Sequence, residues 1–178
     1  MVSNTYTLNL SYGVGMVADG TGVLLNNELD DFAAKPGAPN AFGLIGLDEA
    51  NAPGPNKRPL SSMTPTIVFK DNKPVLVTGS PGGSRIITAV LQVILNVLDH
   101  RMNVADAVGA PRIHHQWVPD QVLAERGVPA AAMKELEARG HQVRLAPPGT
   151  SAHSIAIAPR RLTGAADNRT RGSLAVGY

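Results

Sequence analysis

The chain contains no cysteine, which excludes disulfides, thiolate metal centres and a cysteine nucleophile and leaves the redox compartment unreadable. It also lacks an apolar run long enough to cross a bilayer: the longest, residues 86–98, is interrupted by Gln92 and Asn96. No segment reads as a signal peptide. A basic face is missing too. Sixteen basic against fourteen acidic residues leave a formal net charge of +2. The one gathering of arginines, Arg160, Arg161, Arg169 and Arg171, has no interleaved aromatics, so no nucleic-acid partner is expected. Disorder is excluded by 43% hydrophobic against 17% charged residues. At 178 residues the chain suffices for one domain with a real core, and residues 1–178 are read as that single domain.

What is present is punctuated strongly by glycine and proline. Residues 2–10 alternate from Tyr6 to Leu10 and predict a strand. Gly13, Gly15, Gly20 and Gly22 mark a turn region before Val23-Leu24-Leu25. Residues 33–59 hold five prolines and four glycines and keep neither a helical nor a strand period; a stretch of that length reads as a functional lid or as disorder. A hairpin follows, Thr66–Phe69 and Val75–Thr78 about a turn at Asp71-Asn72-Lys73. Residues 84–100 predict a helix apolar on nearly every side, and therefore buried. Asn103 caps a short helix that ends before Pro111. Residues 112–117 and 121–125 look extended. Pro129–Arg139 is amphipathic, with proline at its start and Gly140 just past its end. Strands are predicted near 141–145, 154–158, 161–165 and 173–176. Strands, helices and strands again make a layered α/β or α+β domain.

The most informative motif is Gly79-Ser80-Pro81-Gly82-Gly83-Ser84-Arg85, between a strand and a long helix. Paired glycines there can aim bare backbone N–H groups at a carboxylate, a phosphate or the oxyanion of acyl transfer. Glu28, Asp30 and Asp31 crowd three acids into four residues, either as a solvated acidic turn or as a grip for an ammonium group; the alternating ligands of a Ca²⁺ loop are absent. Ser61-Ser62 is either a pair of local caps or a pair of donors to a carboxylate. His114-His115 lies on a strand-like segment, so its rings point to opposite sides and do not share a metal; a structural histidine near Trp117 is the simpler reading. Residues 164–169 read as a turn braced by Asp167 and Arg169.

Taken in order, these pieces resemble the small subunit of γ-glutamyltransferases, also called γ-glutamyl transpeptidases or glutathione hydrolases. The resemblance is carried by Thr5-Tyr6-Thr7-Leu8-Asn9, Leu24-Leu25-Asn26-Asn27-Glu28-Leu29-Asp30-Asp31-Phe32, Gly54–Met63, Gly79–Arg85, Ala110-Pro111-Arg112, His114–Trp117 and Gly177-Tyr178, and covers essentially the whole chain. It implies an α+β piece of an N-terminal-nucleophile hydrolase α/β/β/α sandwich. It implies amide transfer through an acyl-enzyme on an N-terminal threonine, with the γ-glutamyl group of glutathione as donor and water, an amino acid or a peptide as acceptor. By the same resemblance, Asn9, Glu28 and Asp31 hold the substrate α-ammonium, and Ser61 and Ser62 donate to its α-carboxylate. Gly82 and Gly83 supply oxyanion-hole N–H groups, Thr7 tunes the nucleophile, and residues 33–54 cover the pocket. No cofactor or metal is implied.

Two departures accompany the resemblance. Phe42 stands where bacterial members often place a gating tyrosine. In the family the nucleophilic threonine opens a strand more than a dozen residues before the Thr-Tyr-Thr-Leu-Asn motif, whereas only Met1–Asn4 precede that motif here, and Thr5 is no substitute. The expectation is therefore a donor pocket without its nucleophile, first strand or large subunit, inactive alone. The alternatives are a non-catalytic module for γ-glutamyl compounds, or one piece of an enzyme completed by another chain. Unpaired sheet edge and apolar surface predict a homo-oligomer or poor solubility. Bacterial members of the family are mostly periplasmic or secreted, which is what the resemblance implies for localisation; the chain itself carries no sign of its compartment.

Overall fold

A computed structural model describes residues 1–46 and 49–177. Leu47 and Asp48, inside the expected lid, and Tyr178, at the close of the family-like sequence, lie outside the described residues. The chain forms two compact units, Met1–Thr5 with Met63–Tyr178 and the smaller Tyr6–Ser62.

The larger unit runs β1 (Thr66–Lys70), β2 (Lys73–Gly79), α1 (Arg85–Leu98), α2 (Val104–Gly109), β3 (Ile113–His114), β4 (Val122–Ala124), α3 (Ala130–Ala138), β5 (Val143–Leu145), β6 (His153–Ala158) and β7 (Arg161–Ala166). The hairpin turns as its sequence dictates. Lys70 pairs with Lys73, and the two residues between them, Asp71 and Asn72, have φ of 50° and 58°, the left-handed pair that matches the twist of the flanking strands. The sheet order is β1-β2-β6-β7, antiparallel throughout, with β2 and β6 as its inner strands. Leu76 is fully buried, and the hydroxyls of Thr78 and its register partner Ser154 meet at 2.8 Å, so neither is stranded in the core.

Small aliphatic side chains build that core. Leu76, Val93, Val104, Val108, Ala152 and Ala165 form one cluster in which α1 and α2 cover the sheet. Asn103 caps α2 as expected, its Oδ1 accepting from Asp106 N at 2.9 Å. The second sheet, β3-β4-β5, pairs β4 with β5 in parallel; a parallel pair needs a crossover, and α3 provides it. Pro129 precedes α3, and Gly140 (φ 93°) ends it, with Gly140 N donating to Glu137 O and His141 N to Leu136 O.

Three expectations change. Residues 2–10 join no ladder among the described residues; alternation makes a strand only where a neighbouring strand accepts it, and here the segment is held by scattered bonds, the Ser3 hydroxyl donating to Thr78 O and Leu8 O accepting from Asn27 N. Residues 173–176 are likewise outside any strand. Helix α1 is buried on one face only: Ile86, Ala89, Val90 and Val93 turn inward, while Ile87 and Leu91 are each 51% exposed and Leu95 and Leu98 extend the stripe. A single sheet covers a single side. No helix among the described residues is long and apolar enough to cross a membrane.

Beneath the loops lies an alternating chain of buried charges. Arg112 Nη2 meets Asp167 Oδ2 at 2.8 Å, Asp167 Oδ1 meets Arg169 Nη1 at 3.0 Å, and Arg169 Nη2 meets Glu125 Oε2 at 2.6 Å. The turn at Asp167 and Arg169 is braced as its sequence suggested. Asp167 also accepts from Ala152 N and Arg169 N. Burial alone would raise its carboxyl, but these donors and the two guanidiniums hold it below the usual range. Asp167→Asn leaves two guanidiniums without their shared counter-charge and is expected to cost about 3–5 kcal/mol, as for a broken buried pair. Urea unfolding of the 178-residue chain reads this directly; a loss below 1 kcal/mol would mean that the network is dispensable.

Candidate functional site

In the smaller unit, the chain from Thr7 to Leu10 is knotted against Asn27. Asn9 takes a left-handed conformation, φ 76°, its N–H donating to Thr7 Oγ1 at 2.8 Å. Its side chain donates to Asn27 O at 3.2 Å, while Leu10 N donates to Asn27 Oδ1 at 3.0 Å. Asn27 introduces a 3₁₀ turn, Glu28–Asp31, opened by Glu28 N donating to Asn26 Oδ1 and anchored behind by buried Phe32 and Ala33. The result gathers Asn9, Glu28 and Asp31. Asp31 is pushed above the ordinary aspartate range, chiefly by burial and then by the Glu28 charge, while a hydrogen bond from the Asn9 side chain pulls the other way. An acidic pair beside a carboxamide donor suits a cation that carries its own N–H groups.

Ser61 and Ser62 belong to the same unit, Ser62 half-buried and Ser61 exposed. They follow Leu60, whose N–H donates to Asn51 Oδ1 at 2.9 Å. The segment 33–59 carries neither helix nor strand among the described residues, in line with its composition. Around Phe42, Asn40 Oδ1 accepts from Phe42 N and Leu44 N.

The glycine motif lies in the larger unit, where β2 ends and α1 begins. Gly82 has φ 138° and Gly83 φ 58°, and the turn runs straight into α1 through Arg85 N to Gly82 O and Ile86 N to Gly83 O. Among the described residues neither Gly82 N nor Gly83 N donates to a protein acceptor. Glycine is required at 82: a Cβ there would lie 2.5 Å from Gly149 O and 2.7 Å from Thr150 Cγ2. The turn is pinned on both sides. Ser80 Oγ accepts from Ser151 N, and Ser84 Oγ donates to Gln116 Oε1, which also meets His114 Nε2. Two adjacent, unclaimed N–H groups on so fixed a turn can receive developing negative charge without reorganising.

A small cavity of about 20 Å³ behind the turn is lined by Arg85, Thr88, Arg112, His114, Glu125 and Thr150. It has room for a water, not for a substrate. The two histidines divide as expected. His114 is buried against Thr88, whereas half-buried His115 meets Asp120 at 3.0 Å. No cluster that could hold a metal ion occurs among the described residues. Sequence reasoning passed over Asn51 and the Gln116 bracket, whose roles depend on partners far along the chain.

Gly82→Ala combines a steric overlap with a left-handed φ and is expected to cost about 2 kcal/mol or more. Gly109→Ala, where a Cβ meets open space, is expected to be neutral or mildly stabilising. Equal midpoints for the two in urea would refute the bracing of the turn. His114 gives a pH signature. Burial, above all, and the neighbouring Arg85 and His115 charges hold its imidazole below the ordinary range, against a hydrogen bond to Gln116. The unfolded chain thus takes up the proton first. Stability is full above about pH 6.5, the unfolded value, falls as pH drops through it and levels below the folded value. His114→Gln is expected to flatten that decline in melting temperature against pH.

The family profile described as Gamma-glutamyltranspeptidase matches residues 1–177. The glutathione hydrolase proenzyme of Escherichia coli (strain K12) is 56% identical over 178 residues, which are 99% of this chain and 30% of that protein; the chain thus spans about 30% of the length of this curated relative. A γ-glutamyltranspeptidase mutant from Helicobacter pylori superposes with a TM-score of 0.90 at 52% identity, over 95% of this chain and 93% of that one. The γ-glutamyltranspeptidase of Pseudomonas nitroreducens, solved in complex with L-DON, superposes with a TM-score of 0.88 at 44% identity, over 99% and 93%. The match runs nearly end to end in sequence and in fold: the chain belongs to the γ-glutamyltranspeptidase family, and its α+β architecture is part of an N-terminal-nucleophile hydrolase fold.

Proposed function

We propose that this chain carries the donor-recognition part of a γ-glutamyltransferase or glutathione hydrolase, binding the γ-glutamyl group of glutathione for transfer or hydrolysis. Asn9, Glu28 and Asp31 hold the α-ammonium, with Asp31 ionised when the ligand is bound. Ser61 and Ser62 donate to the α-carboxylate. Gly82 and Gly83 give their N–H groups to the oxyanion of the tetrahedral intermediate, and the Thr7 hydroxyl tunes the attacking group. Residues 33–59 serve as the lid. The observation that carries the reading is the gathering of Asn9, Glu28 and Asp31, since a carboxyl raised by burial beside a second acid is costly unless a cation joins it. The family's large subunit is the expected protein partner. The exposed apolar stripe of α1 supports association, with that subunit or with further copies of this chain.

The 178 residues alone are proposed to bind without turning over. Millimolar L-glutamate or glutathione is expected to raise the melting temperature of the purified polypeptide, and Asp31→Asn to abolish the rise. A γ-glutamyl anilide is expected to remain intact with it. Turnover by this polypeptide would defeat the claim of inactivity; an unmoved melting temperature would defeat the claim of a preserved donor site.

A further inference from the structure

Recognition of an α-amino acid needs a negative group and a set of donors held at a fixed separation, because ammonium and carboxylate sit on one carbon. Here those groups come from chain segments thirty residues apart: Asp31 closes a 3₁₀ turn, while Ser61 and Ser62 follow a stretch with neither helix nor strand among the described residues. Regular structure does not set the spacing, so something else must hold it to within a fraction of an ångström.

The side chain of Asn51 bridges the two segments. Asn51 Nδ2 donates to Asp31 O at 2.7 Å, and Asn51 Oδ1 accepts from Leu60 N at 2.9 Å. The backbone of Asn51 adds a third tie, its carbonyl accepting from Ala33 N at 2.9 Å. The strut is itself braced. Ala33 and Phe32 are buried, and Lys57 Nζ donates to Glu49 O and Ala52 O on either side of Asn51. Only a carboxamide of this length offers a donor at one end and an acceptor at the other: aspartate lacks the donor, serine the reach, and glutamine is a methylene too long.

We infer that Asn51 is a positioning residue that sets the distance between the ammonium-binding carboxylate and the serine pair, and so makes the site select a ligand carrying both ends of an α-amino acid. The inference rests on the donor-recognition reading above. Its signature is loss of the advantage gained from binding two linked groups at once, with each group's own binding retained.

The test is calorimetric titration of the 178-residue chain with L-glutamate, with glutarate, which lacks the ammonium, and with 4-aminobutyrate, which lacks the α-carboxylate. The wild-type chain is expected to favour glutamate over both. In Asn51→Ala the affinity for glutamate is expected to drop roughly tenfold or more, with the single-ended ligands changing less than about twofold. Asn51→Asp keeps the acceptor for Leu60 N, loses the donor to Asp31 O, and is expected to show the same pattern; it decides the matter should the alanine variant fail to fold. Uniform weakening of all three ligands, or an undiminished preference for glutamate, would overturn the inference while leaving donor recognition intact. No preference for glutamate in the wild-type chain would overturn the donor-recognition reading and this inference with it.

Discussion

The larger unit depends on one constraint: four charges, Arg112, Asp167, Arg169 and Glu125, taken out of water together. Alternation of sign is what makes this possible, because each charge has an opposite neighbour within 3.0 Å and low dielectric strengthens such contacts as much as it penalises a missing one. Every member also ties backbone. Arg112 reaches Val108 O, Asp167 takes Ala152 N, Arg169 reaches Ala110 O and Glu125 takes Arg112 N, while Arg112 also donates to the Thr150 hydroxyl. The network therefore joins the end of α2, the approach to β6 and the turn after β7. The same approach to β6 supplies Gly149 and Thr150, the atoms against which Gly82 is pressed. A buried ionic chain thus fixes the wall that shapes a turn with two free N–H groups.

The smaller unit reaches rigidity by other means. It has little apolar cover beyond Phe32 and Ala33, and its order comes from asparagine side chains that stand in for backbone partners. Asn9, Asn26, Asn27, Asn40 and Asn51 all bond main-chain groups. This is a sensible way to hold an irregular segment, since short carboxamides satisfy the polar backbone that a loop would otherwise leave to water. It also brings Glu28 and Asp31 close enough that burial and the Glu28 charge together raise the Asp31 carboxyl.

Burial of α1 separates pattern from context. Its sequence is apolar on nearly all sides, which alone reads as a helix enclosed by protein. Within these residues the sheet covers one face and the Ile87–Leu91–Leu95–Leu98 stripe stays in contact with solvent. The composition of a helix reports how much surface it is built to bury; it does not report how much of the partner lies within the same 178 residues.

What the sequence by itself determined was local. The left-handed pair Asp71-Asn72, the Asn103 cap, Pro129 and Gly140 around α3, and the glycine turn before α1 each specify geometry through atoms a few residues apart, so adjacent letters suffice. The acids Glu28 and Asp31, the pair Ser61-Ser62 and the glycines Gly82 and Gly83 were legible as candidate chemistry for the same reason, whereas Asn9 and Thr7 entered only through the family resemblance. Only the tertiary structure decided that Arg112 meets Asp167 across 55 positions and Arg169 meets Glu125 across 44, that Asn51 spans from Asp31 to Leu60, and that residues 2–10 find no ladder among the described residues despite their alternation. Those outcomes depend on which distant backbone groups topology delivers to the same place, a quantity that no local spacing encodes.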